Sequence, residues 1–76
     1  MNNNAILKKL RIALDLKEED MLAIMLRAGV TISKAELSAL FRNKGHKHYK
    51  ECGDQFLRNF LQGLTVRFRG VSDEQK

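Results

Sequence analysis

The pattern that most limits the possible folds lies in residues 54–69, "DQFLRNFLQGLTVRFR". Apolar side chains recur there every three or four positions, and at about 100° per residue they cover about 140° of a helix. No comparable run alternates with a period of two, so strands are not expected. The side chains of this stripe are Phe56, Leu57, Phe60, Leu61, Leu64 and Phe68.

Two further helices are predicted in the first half of the chain. Asn3 or Asn4 is expected to cap the first, because an Asn side-chain oxygen accepts a hydrogen bond from a free amide in the first turn. Asp15 followed three residues later by Glu18 predicts a capping box for the second helix. Gly29 is its expected end, since glycine readily takes the left-handed conformation that closes helices.

A third helix is predicted from the capping box of Ser33 and Glu36 to Gly45, and Asp54 is expected to cap the fourth. The four helices predict an all-α, compact four-helix bundle-like domain over residues 1–70.

A short irregular or one-turn segment is expected around residues 46–51, before the last helix. Tyr49 should be at least partly buried in that segment. Residues 71–76 are expected to form a flexible polar tail.

The second helix carries apolar side chains over about 200° of arc, which is wide for a helix on the surface of a bundle. It is therefore expected either to be central or to meet a partner. On the first helix, one isoleucine lies opposite the apolar stripe. Gly63, at the edge of the fourth stripe, would allow another helix to approach closely. The candidate partner-binding residues are Ile12, Met21, Ile24 and Met25.

The formal net charge of +5 is concentrated in one part of the chain. Residues 41–69 carry seven basic and two acidic side chains, a balance of +5. Such an excess suits an anionic partner. The segment 23–42 resembles a helix-turn-helix only loosely, because its turn is too long and its second helix lacks base-reading side chains at the start. The candidate phosphate-binding residues are Arg42, Lys44, Lys47, Lys50, Arg67 and Arg69.

The stretch "HKHYKECGD" brings His46, His48, Cys52 and Asp54 close together in the sequence. Structural zinc sites usually combine ligands from two separate elements, and no second cluster exists here. A Cys–His nucleophile would also need an orienting group and an oxyanion site. We therefore expect solvated histidines and a small, buried cysteine, whose nearness to a helix start would lower the thiol pKa.

No catalytic residue, metal site or cofactor is predicted, and the chain is not expected to be an enzyme or to bind a small-molecule substrate. No apolar stretch approaches the roughly 18 residues of a membrane span. The N-terminal residues do not form a signal peptide, and a single cysteine fits a reducing compartment. The expected location is the cytoplasm.

Two blocks of the chain, "NNNAILKKLRIALDLKEEDMLAI" and "HKHYKECGDQFLRNFLQGL", resemble the YehS-like bacterial proteins, a family of unknown function. The resemblance implies two tandem copies of a domain of this length, and this sequence holds one, more similar to the second. It implies no catalytic or ligand-binding residue. A repeat without its neighbour leaves apolar surface uncovered, so we expect the domain to self-associate.

The leading functional prediction is a non-enzymatic protein-binding or assembly module that uses apolar helix faces, with a second copy of itself as one possible partner. The alternative is a nucleic-acid-associated protein that makes non-specific phosphate contacts. The two predictions differ in how binding should depend on salt, because phosphate binding weakens steeply with ionic strength and apolar association does not.

Overall fold

Four α-helices make up most of residues 1–69, the part of the chain that this computed structural model describes. No strand occurs within that range, so the predicted all-α, four-helix fold is confirmed. The predicted polar tail lies outside the described residues. The helices are α1 (Asn3–Ala13), α2 (Glu18–Arg27), α3 (Lys34–Leu40) and α4 (Asp54–Arg69).

The α2 helix is central, and most of its apolar side is covered by the rest of the domain. Met21, Ile24 and Met25 have no exposed surface. Their burial corrects the prediction that they bind a partner, because a side chain in the core of the folded domain cannot contact another protein. The rest of the buried apolar core consists of Leu7, Leu16, Leu37, Leu40, Cys52, Phe60 and Leu64.

The helices α2 and α4 pack closely because residue 63 has no side chain. A Cβ atom on Gly63 would overlap the carbonyl oxygen of Ile24 and lie 2.8 Å from Ile24 Cγ2. The Nη2 atom of Arg67 lies 3.3 Å from Asp20 Oδ1, so the two helices run in opposite directions. The prediction that Gly63 allows a close helix approach is confirmed.

The connection between α1 and α2 differs from the predicted capping box. Asp15 adopts a left-handed conformation with φ of 51° and ends α1 instead of starting α2. The amides of Asp15 and Leu16 bind the carbonyls of Ile12 and Arg11, at 3.1 and 2.9 Å, which is the Schellman pattern. The cap of α2 is formed instead by Asp20, whose Oδ2 accepts from the amide of Lys17 at 2.9 Å.

The end of α2 and the start of α3 follow the sequence signals. Gly29 has φ of 82°, and its amide binds the carbonyl of Leu26 at 2.9 Å, so the predicted stop is confirmed. Ser33 and Glu36 exchange two hydrogen bonds of 3.1 Å between side chain and backbone, as a capping box requires.

Three other helix ends are corrected. The cap of α1 is Asn2, whose Oδ1 accepts from the amide of Ala5 at 2.8 Å. Asp54 is the first residue of α4 and does not cap it from outside. The α3 helix ends at Leu40 and not at Gly45. The carbonyls of Ala39 and Leu40 in its last turn accept bonds from Lys50 and Asn4, which lie outside the helix.

We expect Gly63→Ala to lower the free energy of unfolding by roughly 2 kcal/mol. The new methyl group would meet backbone of α2, which cannot rotate away, and this cost exceeds the gain of about 1 kcal/mol in helix propensity. Urea unfolding followed by circular dichroism measures the change. Gly45→Ala is the matched control, because a Cβ there meets nothing within 4 Å and should leave stability unchanged. Equal stability of the two variants would contradict the close packing.

Candidate functional site

Residues 41–53, here called the connecting segment, join α3 to α4 without forming a regular helix. Two turns shape it: the amide of His46 binds the carbonyl of Asn43 at 2.8 Å, and that of Tyr49 binds the carbonyl of His46 at 3.0 Å. Tyr49 is partly buried, as predicted. The irregular segment before the last helix is confirmed, although it begins earlier than residue 46.

The side chain of Asn4 fastens this segment to α1. It is 8% exposed, and its Nδ2 donates to the carbonyls of Leu40 and Lys50 at 3.0 and 2.9 Å. Its Oδ1 accepts from the amide of Cys52 at 2.8 Å. One amide group thus satisfies three backbone groups, one at the end of α3 and two near the end of the connecting segment.

Two further contacts support the same junction. Asn3 Nδ2 donates to the carbonyl of Cys52 at 3.1 Å and to Asp54 Oδ1 at 2.7 Å. The amide of Lys50 binds the carbonyl of Ala39 at 3.0 Å. The start of α1 therefore determines where the connecting segment and the start of α4 lie.

The histidines and the cysteine do not face one another. His46 and His48 are exposed, and His46 Nδ1 accepts from the amide of His48 at 3.0 Å. Cys52 is buried, and burial, with a smaller effect from the carboxylate of Asp54, raises the pKa of its thiol. The predicted lowering of that pKa is therefore wrong. Among residues 1–69, no three His, Cys, Asp or Glu side chains form a group that could hold a metal ion.

The six predicted phosphate-binding residues separate into two groups. The first group lies on the exposed surface of the connecting segment and consists of Arg42, Lys44, Lys47 and Lys50. Arg67 and Arg69 lie at the far end of α4, which starts beside Asn3 and extends for 16 residues, about 24 Å. Arg67 is also paired with Asp20 at 3.3 Å. A single small anion could not contact both groups.

Arg42 lies between two shallow clefts. The first cleft, of about 200 Å³, is lined by the cationic side chains of Lys8, Arg42 and Lys44, with no carboxylate. The second, of about 460 Å³, is lined by Lys34, Arg42, Lys50 and His48 with one carboxylate, that of Glu36. We call these the α1 cleft and the α3 cleft.

The carboxylate of Glu36 is already engaged. Its bond from the backbone amide of Ser33 is the main reason that the pKa of Glu36 lies below its ordinary value, and the Ser33 hydroxyl and Lys50 lower it further. The Lys50 Nζ lies 3.9 Å from Glu36 Oε2. The α3 cleft therefore retains an excess of positive charge from Lys34 and Arg42.

Sequence reasoning missed Lys8 and Lys34, which belong to α1 and α3 and reach this surface only through folding. It also missed the role of Asn4, which was interpreted as a cap. A signal was present for Asn4, because it lies one helical turn before Leu7 and so on the side of α1 that faces the core.

Exposed apolar side chains line one side of α4. Leu61 and Phe68 are 44% and 60% exposed and lie seven residues apart, which is two helical turns. Leu57, which is half-buried, and Leu64, which is buried, lie on the same side of the helix. We call these four residues the α4 stripe. Among the predicted partner-binding residues, Ile12 alone is exposed, at 69%, and it lies on α1.

We expect Asn4→Ala to lower the free energy of unfolding by about 2–4 kcal/mol, because buried backbone groups lose their partner. Asn4→Asp should also destabilise, since its second oxygen would face two carbonyls. Hydrogen exchange at the amide of Cys52 should accelerate in Asn4→Ala. Asn43→Ala, at an exposed position without a side-chain hydrogen bond within residues 1–69, should stay within about 0.5 kcal/mol. Unchanged exchange at Cys52 would contradict the role of Asn4.

The sequence of the chain is similar to a family of proteins of unknown function. The family described as "Protein of unknown function (DUF1456)" matches residues 3–70. The uncharacterized protein YehS of Escherichia coli strain K12 is 52% identical over 67 residues, which cover 88% of this chain and 43% of that protein. The chain thus spans less than half the length of this relative. No solved structure matches. Among the described residues, no helix is long and apolar enough to cross a membrane.

Proposed function

The chain belongs to the DUF1456 family, whose function is unknown, and we propose that it is a non-enzymatic protein-binding or assembly module. The observation that carries this proposal is the α4 stripe. Leu61 and Phe68 are large apolar side chains that keep about half of their surface in contact with water. Covering such a surface would be favourable by roughly 25 cal/mol for each Å² removed from water.

The partner that we propose is a second copy of the domain. In a two-fold symmetric dimer the same patch of both subunits meets, so residue i contacts j and j contacts i. An antiparallel pair of α4 helices centred between Leu64 and Thr65 would place Leu61 of one copy against Phe68 of the other.

The length of the E. coli relative is consistent with this partner. The matched region makes up 43% of that protein, so most of its chain lies outside the region. A further domain could cover the α4 stripe there within one chain. A second copy of the present domain would provide the same kind of cover from another chain.

Sedimentation equilibrium over a wide range of protein concentration tests the proposal. We expect the wild type to dimerise and Leu61→Gln to remain monomeric, because the substitution removes apolar contact surface from the centre of the α4 stripe. Leu26→Gln is the matched control, since Leu26 is 62% exposed on α2 and lies outside the stripe. It should dimerise like the wild type, and all three proteins should have similar circular dichroism spectra.

A wild-type protein that stays monomeric at every concentration would contradict self-association. Equal weakening by Leu61→Gln and Leu26→Gln would instead contradict the α4 stripe as the contact surface. Ile12→Gln extends the test to the exposed isoleucine of α1, which was the other candidate contact.

The second candidate function is association with nucleic acid through non-specific phosphate contacts. A specific observation favours it: four cations of the connecting segment are exposed on one part of the surface, and only Lys50 among them has an acidic partner within residues 1–69. The chain also carries a formal charge of +5. Both features favour phosphate contacts whose strength does not depend on base sequence.

Fluorescence anisotropy with labelled single-stranded DNA at increasing salt tests this candidate. Each phosphate contact to single-stranded nucleic acid should contribute about −0.7 to the slope of log K against log salt. We expect a steep slope and similar affinities for unrelated sequences of equal length. Dimerisation through the α4 stripe should change little over the same salt range. Absence of binding at low salt would contradict the second candidate.

A further inference from the structure

The two clefts of the basic surface have one side chain in common. Arg42 lines both the α1 cleft and the α3 cleft, and its side chain makes no hydrogen bond or ion pair within residues 1–69. A guanidinium group presents five donors in a planar fork and can bind oxygens on two sides. Arg42 is therefore placed to contact two anionic groups, one in each cleft.

Each cleft contributes cations of its own from different parts of the fold. The α1 cleft adds Lys8 and Lys44, and the α3 cleft adds Lys34 and Lys50. The contact of Asn4 with both ends of the connecting segment holds these parts together. The positive charge is thus arranged around two separate concave positions.

The α1 cleft also offers neutral donors. The hydroxyl of Tyr49 and the Nδ2 of Asn2 make no hydrogen bond within residues 1–69. Tyr49 is only partly buried, and no buried side-chain oxygen or nitrogen lacks a partner in the described part of the chain, so its hydroxyl is open to solvent. Tetrahedral anions such as phosphate accept several bonds from mixed charged and neutral donors.

We propose that the α1 cleft and the α3 cleft hold successive phosphate groups of one nucleic-acid strand, with Arg42 bridging them. This inference rests on the second candidate function and specifies its site. The proposed site adds Lys8 and Lys34 to the predicted phosphate-binding residues and excludes Arg67 and Arg69. One strand backbone suits the arrangement because its phosphates follow one another along a single chain, and Arg42 lines both clefts.

The test compares variants that lose the same charge at different positions. Binding of a labelled single strand of about 10 nucleotides is measured by anisotropy for Arg42→Gln, Lys8→Gln, Lys34→Gln and Arg69→Gln. We expect Arg42→Gln to lower affinity about tenfold, since it removes contacts in both clefts. Lys8→Gln and Lys34→Gln should each have a smaller effect, and Arg69→Gln should change affinity less than about twofold.

The outcomes separate this inference from the function on which it rests. If Arg42→Gln and Arg69→Gln weaken binding equally, the protein binds nucleic acid through diffuse charge, and the two clefts are not its site. If the wild type does not bind at all, both the site and the second candidate function are wrong. Unchanged thermal unfolding of Arg42→Gln confirms that any loss of affinity is local.

Two further probes distinguish the source of the phosphate. Inorganic phosphate and a linear polyphosphate are each tested as competitors against the labelled strand. We expect inorganic phosphate to compete weakly, because it fills one cleft at a time. Polyphosphate that competes more strongly than unlabelled DNA with the same number of phosphates would overturn the assignment to a nucleic-acid strand.

Discussion

The amide of Asn4 is the contact on which the position of the basic surface depends. It is the partner of the carbonyls of Leu40 and Lys50 and of the amide of Cys52, and its bonds to Leu40 and Cys52 are buried. The loss of one hydrogen-bonding partner in a buried site costs more than the bond itself contributes on average. This asymmetry explains how a segment without regular structure can have a defined position, and with it a defined arrangement of cations.

The packing of α2 against α4 forms the centre of the domain. Gly63 brings the α4 backbone against Ile24, and Met21, Ile24 and Met25 are fully buried. Most of the wide apolar surface of α2 is therefore covered within the domain, although Leu26 stays exposed. On α4, one side of an amphipathic helix extends beyond the core and leaves Leu61 and Phe68 exposed.

The helices and most of their local signals could be predicted from sequence, because they depend on residues within one or two turns. Gly29 and the Ser33–Glu36 box are examples. Predictions failed where one residue could serve two local structures, or where a contact comes from another part of the fold. Asp15 could start α2 or end α1, and the Schellman bonds of α1 use its backbone. The carbonyls of Ala39 and Leu40 at the end of α3 accept bonds from Lys50 and Asn4, which lie outside that helix. Lys8 and Lys34 join the basic surface only through this tertiary arrangement.

The apolar and basic surfaces involve different residues, and this separation makes the two proposed activities compatible. No α4 residue lines either basic cleft, and no residue of the connecting segment belongs to the α4 stripe. A dimer formed through α4 would therefore leave both copies of Arg42 free. Two linked basic surfaces bind one long strand with an effective local concentration that a monomer lacks. Dimerisation would then strengthen binding to a long strand much more than to a short one, although no residue takes part in both contacts.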